Sequence, residues 1–171
     1  MKKMTSACAN KMLRKLKEDR VFWTNKECQN CTYDVSADEE PVIPEYDYET
    51  VAKEIAVIDE TVVKIKHAIN LNNAINRIPV GDEEMSIDEI LVRMAQLNTR
   101  KYTLDLMRKN EPKKRIGQGL YSARKTTPEY RYINYDLDLI KSEYERIDDT
   151  ISQMQIALDF YNQTFEFEID I

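Results

Sequence analysis

The most reactive side chains of this 171-residue sequence are two cysteines, Cys28 and Cys31, separated by two residues. Such a pair can exchange disulfides or contribute to a zinc site, but zinc in proteins needs four ligands. Cys8 and the single histidine, His67, are the other obvious donors, so these four residues are the candidate metal ligands. The pair lies in sequence that reads as acidic loop, without the helix amino terminus that activates such thiols. We therefore expect free surface thiols and no cofactor, with metal binding as an alternative.

Closely spaced asparagines form a second group of candidate residues. Asn72 and Asn76 are four residues apart and continue the spacing of an apolar helical seam. An asparagine in a seam costs stability but fixes the register of the helices, because its amide must find a partner. We prefer that structural interpretation. The alternative is a polar cluster at one end of a helical bundle, formed by Asn70, Asn73, Arg93 and Asn162.

A third group combines positive charge with tyrosine between residues 109 and 135, where basic residues outnumber acidic ones. Cations neutralise phosphates while aromatic rings stack on bases, so the mixture suits single-stranded nucleic acid. The same segment could instead pair with an acidic surface of another subunit, or be a solvated strand face. The candidate contact residues are Lys113, Lys114, Arg115, Arg124, Lys125, Tyr130, Arg131 and Tyr132.

Recognisable catalytic motifs are missing from the sequence. No serine or cysteine lies in a nucleophile motif, and no glycine-rich turn is placed to bind phosphates. Acidic residues are abundant, but they lack the Glu-x-x-His spacing of di-metal helical bundles. We therefore expect a protein that is not an enzyme.

The elements that would position these residues are mainly helical. Two long helices are predicted by apolar residues at alternating three- and four-residue spacings, the pattern of a heptad seam. The first seam comprises Val51, Ile55, Ile58, Val62, Ile65 and Ile69, and the second comprises Leu137, Ile140, Tyr144, Ile147, Ile151, Met154, Leu158, Tyr161 and Phe165. Shorter helices are predicted over residues 5–23 and, after a capping box at Ser86 and Glu89, up to about residue 110.

The predicted fold is therefore an elongated antiparallel bundle of about four helices in a single domain spanning residues 1–171. Residues 24–46, which contain prolines and many acids, are predicted as a long loop. β-favouring residues and nearby glycines predict a short β-hairpin arm at about 111–135, before the last helix.

Composition narrows the class of protein further. The chain is 42% hydrophobic and 33% charged, with only three glycines, five prolines and a net charge of −6. These values favour a folded helical protein. No apolar run is long enough to span a membrane, and the basic start lacks the apolar segment of an export signal. With an odd number of cysteines, we expect a cytoplasmic protein.

A second apolar set widens the stripe of the first long helix. It comprises Val57, Val63, Ala68, Leu71 and Ile75. Because large exposed apolar patches usually mark interfaces, we expect a homo-oligomer, most simply a dimer, and a structural or protein-interaction role. Nucleic-acid binding by the arm is the first alternative.

Several short motifs resemble those of an uncharacterised bacterial helical family, some of whose members are named septicolysin. The similar segments are Ile69-Asn70-Leu71-Asn72-Asn73-Ala74, Ile90-Leu91-Val92-Arg93, Glu129-Tyr130-Arg131-Tyr132 and Asn162-Gln163-Thr164-Phe165-Glu166-Phe167. The chain departs from the family at Gln163, where the family often has Trp. The resemblance implies a helical core with a small β element and no established activity. The cytolysin name adds membrane activity to metal binding as a second alternative.

Overall fold

A computed structural model describes residues 1–116 and 127–171 of the chain. Within those ranges there are four helices and three two-stranded sheets. In chain order they are β1 (Lys2–Thr5), α1 (Ser6–Asn30), α2 (Tyr48–Ile75), β2 (Arg77–Val80), β3 (Glu83–Ser86), α3 (Ile87–Arg108), β4 (Lys113–Arg115), β5 (Tyr130–Tyr132), α4 (Leu137–Thr164) and β6 (Glu166–Ile169). The prediction of a mainly α protein with a short hairpin before the last helix is confirmed.

Helix α1 is longer than predicted, and the prediction of a loop starting at residue 24 is wrong. Its residues from 24 to 30 contain no proline or glycine, so nothing in the backbone stops the helix there. Thr24 Oγ1 donates to the Arg20 carbonyl at 2.9 Å, and Asn30 Nδ2 donates to the Lys26 carbonyl at 2.9 Å. The apolar period ends near Trp23 because residues 24–30 are polar apart from Cys28 and none of them is fully buried, although the helix itself continues. Cys28 is therefore helical.

The chain divides into two compact units. The first unit comprises Met1–Ile78 with Leu158–Ile171, and the second comprises Pro79–Ala157. Helix α4 contributes residues to both units. A single domain spanning residues 1–171 stays a prediction.

In the first unit, α1 packs along α2 in the antiparallel direction. Ala9 of α1 and Ile65 of α2 are fully buried in one cluster with Met4 and Ile169, which come from β1 and β6. Further along the helices, the Arg20 guanidinium donates to both carboxylate oxygens of Asp59, at 2.7 and 3.2 Å. The core of this unit is thus built by two helices and a strand pair together.

The β1–β6 pair joins segments near the two ends of the sequence. The strands are antiparallel, with Lys2 opposite Ile169 and Met4 opposite Phe167. Met4 and Ile169 are buried, whereas the intervening Lys3 and Glu168 are exposed and lie 3.6 Å apart. One face of the sheet therefore belongs to the core and the other to solvent.

In the second unit, α3 begins with the predicted capping box. The Ser86 amide donates to the Glu89 carboxylate at 2.8 Å, and the Glu89 amide donates to the Ser86 hydroxyl at 3.4 Å. This reciprocal pair satisfies two amides that a helix start would leave unbonded. Before it, Gly81 has a φ of +60° in the two-residue turn between β2 and β3, a conformation that glycine adopts without strain.

Helices α3 and α4 are joined in this unit by charged contacts. The Lys101 ammonium is hydrogen-bonded to the Asp148 carboxylate, and the Arg108 guanidinium lies 3.9 Å from the centre of the Tyr144 ring. Asp105 holds Arg108 from its own helix at 2.8 Å. Polar and aromatic contacts therefore connect the two helices at the surface, whereas their buried side chains are apolar.

The buried positions of the long helices follow the predicted seams and, apart from Leu158, recur at seven-residue intervals. In α2 they are Val51, Ile58, Ile65 and Asn72, and in α4 they are Ile140, Ile147, Met154, Leu158 and Tyr161. The intervening seam residues, such as Ile55 and Ile151, are only half-buried. In the part of the chain described here, no helix combines the length and the apolarity needed to cross a bilayer.

Candidate interaction surfaces

An open groove of about 610 Å³ lies beside the carboxyl-terminal half of α2, and we call it the α2–β6 groove. Its apolar lining residues are Met1, Ala68, Leu71, Ile75, Phe165 and Phe167. Its polar and charged lining residues are Lys64, His67, Asn72, Asn76, Glu166, Glu168 and Asp170. Leu71 and Ile75 are 52% and 65% exposed. Three members of the predicted second apolar set of α2 therefore form one wall of this groove.

The opposite wall, β6, was missed by the sequence analysis. The apolar spacing places Phe165 in the seam of the last helix, but α4 ends at Thr164. From Phe165 to Ile169 the sequence alternates apolar and acidic residues, which is the period of a half-buried strand. That alternation was the available signal. The partner strand, β1, carries no comparable pattern.

A buried polar contact lies behind the groove. Asn72 is 5% exposed, and its Oδ1 accepts from the Tyr161 hydroxyl at 3.0 Å and from Asn76 Nδ2 at 2.9 Å. Burial raises the pKa of Tyr161, and the hydrogen bond to Asn72 opposes that rise. The Asn72 Nδ2 group is buried, and no residue within 1–116 or 127–171 forms a hydrogen bond with it. The seam asparagine is thus buried as predicted, but its partner across the seam is a tyrosine instead of another amide.

The predicted polar cluster is distributed over both units. Asn70, Asn73 and Asn162 belong to the first unit, whereas Arg93 belongs to the second. Asn70 and Arg93 are exposed, and Asn73 and Asn162 are half-buried. The buried polar side chain of this region is Asn72, which the cluster did not include. Joint action of the four residues stays a prediction.

The arm consists of β4 and β5, whose residues are all exposed. Lys113 lies opposite Tyr132, Lys114 opposite Arg131, and Arg115 opposite Tyr130. Residues directly opposite each other in an antiparallel pair share a face, and neighbours along a strand alternate. One face, which we call the aromatic face, therefore comprises Lys113, Arg115, Tyr130 and Tyr132. The other, the charged face, comprises Lys114 and Arg131.

The aromatic face is ordered by its own contacts. The Lys113 ammonium lies 4.3 Å from the centre of the Tyr130 ring and 5.6 Å from that of Tyr132. The two ring centres are 6.5 Å apart. A cation over aromatic rings is a favourable arrangement that holds these three side chains together. Two of the predicted contact residues, Arg124 and Lys125, lie outside the described residues.

The candidate metal ligands do not come together. Cys8, Cys28 and Cys31 are free and exposed, and His67 is exposed on the wall of the α2–β6 groove. Across residues 1–116 and 127–171, no three histidine, cysteine or acidic side chains are grouped so that they could hold a metal ion. The prediction of an acidic loop around the cysteines was wrong for Cys28, which lies in the last turn of α1.

Comparison with known proteins leaves the resemblance to the septicolysin-named family as a prediction. Its motifs lie on the described elements: Asn70 and Asn72 near the end of α2, Arg93 on α3, and Tyr130 on β5. However, the chain matches no protein-family model, no curated protein and no solved structure.

Proposed function

We propose that this chain is a non-enzymatic interaction protein that self-associates, and that the α2–β6 groove is covered by a second copy of the chain. The observation that carries the proposal is the exposure of Leu71 and Ile75 on one wall, opposite Phe165 and Phe167. Burying such a side chain from full exposure contributes about 1.5–3 kcal/mol, and Leu71 and Ile75, which are 52% and 65% exposed, can still gain roughly half of it. Covering this groove would therefore supply a substantial driving force for association.

The charges at the groove favour a second copy as the occupant. Lys64 lines the groove from α2, and the acidic residues Glu166 and Glu168 of β6 and Asp170 just after it line the other side. In a twofold pair the same surface faces itself, so both signs must be present for charges to match. The Lys64 ammonium forms an ion pair with the Glu60 carboxylate at 3.0 Å. This contact and, to a smaller extent, the charge of Asp170 raise the pKa of Lys64, so the side chain keeps its positive charge.

The groove wall is also preorganised. The Tyr161 and Phe165 rings are stacked with centres 4.8 Å apart, and the Tyr161 hydroxyl is held by Asn72. Side chains that are already fixed lose little conformational freedom on binding, so less of the burial energy is lost to ordering. A fixed apolar wall beside half-exposed aliphatic residues is suited to a stable contact.

The test is the mass of the full chain in solution, measured by light scattering across a dilution series. The wild type should exceed its monomer mass of 20.2 kDa at high concentration and approach it on dilution. Leu71→Gln with Ile75→Gln should raise the dissociation constant by at least about tenfold, because the groove wall becomes polar. The matched control is Val57→Gln with Val63→Gln, which alters exposed residues of the same helix that do not line the groove.

Two outcomes would overturn the proposal. One is a wild-type chain that stays at the monomer mass throughout the series. The other is an equal weakening by the groove and control variants, which would place the contact elsewhere on α2. Circular dichroism should show that both variants keep the helical content of the wild type, so that loss of association is not loss of fold.

We further propose that the protein works in the cytoplasm. The supporting observation is that all three cysteines are exposed and unpaired, which suits a reducing compartment. Labelling of intact cells with a membrane-impermeant maleimide should leave Cys8, Cys28 and Cys31 unmodified, and labelling without lysis would contradict this location.

A further inference from the structure

The arm differs from the α2–β6 groove in what it can recognise. Tyr130 and Tyr132 are 41% and 61% exposed, so each keeps surface that a ligand can reach although Lys113 lies close to both rings. Exposed aromatic rings that share a face with Lys113 and Arg115 offer stacking and positive charge at the same place. Proteins that bind single-stranded nucleic acid use this combination, because every base has a π face and every linkage a phosphate.

The charge of the arm contrasts with that of the whole chain. The protein has a net charge of −6, yet β4 consists of three basic residues and β5 contributes Arg131. The overall charge repels a polyanion, so any attraction must be local to this segment. Lys114 lies 3.6 Å from Glu111, and both side chains are more than 60% exposed. A pair this exposed contributes little, so phosphate can replace the carboxylate.

The arm is anchored firmly enough to present its side chains. At its base the Tyr135 hydroxyl donates to the Met107 carbonyl of α3 at 2.7 Å, and Asn110 Nδ2 donates to Tyr135 Oη at 2.8 Å. Two backbone hydrogen bonds continue the pairing of β4 with β5 beyond the strands. The Ile116 amide donates to the Glu129 carbonyl at 2.9 Å, and the Ile133 amide donates to the Pro112 carbonyl at 3.3 Å. The hairpin is therefore tied to the end of a helix although its strands bury nothing.

We propose that the arm binds single-stranded nucleic acid. Bases stack on Tyr130 and Tyr132 of the aromatic face, where Lys113 and Arg115 neutralise neighbouring phosphates. Lys114 and Arg131 of the charged face attract the backbone as it passes the edge of the hairpin. A duplex keeps its bases stacked on one another, so it can use the cations of the arm but not the rings. This function is independent of self-association through the α2–β6 groove.

The experiment is fluorescence anisotropy of a labelled oligothymidylate of about 15 nucleotides with the full-length protein. Affinity is measured at about 50 and 200 mM salt, the range over which phosphate contacts lose most of their strength. The wild type should bind at the lower salt and weaken steeply at the higher. An unlabelled duplex of the same length should compete less well than the unlabelled single strand.

Variants separate the two faces. Tyr130→Leu with Tyr132→Leu should weaken binding at least about tenfold and leave the salt dependence unchanged, because only stacking is lost. Tyr130→Phe with Tyr132→Phe keeps the rings and should retain the affinity of the wild type, which would assign the binding to the rings and not to the hydroxyls. Lys114→Gln with Arg131→Gln should reduce the slope of log affinity against log salt by about 0.7 for each phosphate contact removed.

The matched control is Lys11→Gln with Lys15→Gln, which removes the same charge from the exposed surface of α1 and should not change binding. Absence of wild-type binding at the lower salt, or equal weakening by the control, would overturn the proposal. So would a duplex that competes as well as the single strand. If the arm variants instead reduce the mass in solution and no oligonucleotide binds, the occupant of the arm is a second copy of the chain. The groove variant Leu71→Gln with Ile75→Gln should bind oligonucleotide normally.

Discussion

The β1–β6 and β4–β5 pairs are both short, antiparallel and two-stranded, but they stand in different environments. In the first, Met4 and Ile169 are 7% and 1% exposed and join the core of α1 and α2. In the second, every residue of both strands is exposed. An isolated hairpin is marginally stable, so a strand pair persists because of what it packs against or what holds its ends. The first pair therefore contributes to the stability of the fold, whereas the exposed side chains of the second can contact a ligand.

The largest expected effect comes from truncating the buried face of the first pair. Ile169→Ala removes a side chain packed in the cluster of Met4, Ala9 and Ile65, and should lower the free energy of unfolding by about 2–5 kcal/mol. Tyr132→Ala in the arm should change it by no more than about 0.5 kcal/mol, because that side chain is exposed. Urea denaturation of both variants measures the contrast. Similar losses would mean that the arm is also part of a core.

An intermediate effect is expected at the polar contact behind the α2–β6 groove. Tyr161→Phe removes the donor to Asn72 Oδ1 and should cost about 1 kcal/mol, since a buried hydrogen bond is lost. Asn72→Leu leaves the tyrosine hydroxyl unpaired but also removes the unbonded Nδ2. When both partners are replaced by apolar groups of similar shape, the loss should be small. Asn76 Nδ2, which also donates to Asn72 Oδ1, keeps its contact with the Asn72 carbonyl oxygen at 3.0 Å.

The test is a double-mutant cycle, measured by urea denaturation of protein dilute enough to be monomeric. We expect the double variant to be at least as stable as either single variant. Additive losses would show that the two residues act separately. If the double variant keeps its stability, we would infer that Asn72 sets the alignment of α2 with α4 and adds little to the free energy of unfolding.

The features that sequence reasoning recovered are local. The capping box depends on Ser86 and Glu89, three residues apart, and the seams depend on apolar spacing within one helix. These signals are complete within a few turns of chain. For the same reason the aromatic and basic residues of the arm could be identified, since Lys113 and Tyr130 lie on two strands that pair with each other and are close in the sequence.

The features that it missed depend on contacts between distant segments. β1 exists because it pairs with β6 at the other end of the sequence, and no local pattern in Lys2–Thr5 announces that partner. Asn72 could be placed on the seam, but its partner Tyr161 is chosen by how two helices are aligned. The groove could be predicted only from the exposed face of α2 together with β6, because one wall is that helix face and the other is the strand that the sequence analysis missed.

The smallest effect should come from the exposed face of the first pair. Lys3 and Glu168 lie 3.6 Å apart across β1 and β6, with side chains 68% and 52% exposed. Solvent screens such a pair and side-chain entropy opposes it, so Lys3→Gln should leave the urea midpoint within experimental error. Lys114→Gln, which breaks the contact with Glu111 in the arm, should behave in the same way. If Lys3→Gln alone destabilised the protein, the charged ladder would help to hold β1 on β6, and burial of Met4 and Ile169 would not suffice to explain why this strand pair forms.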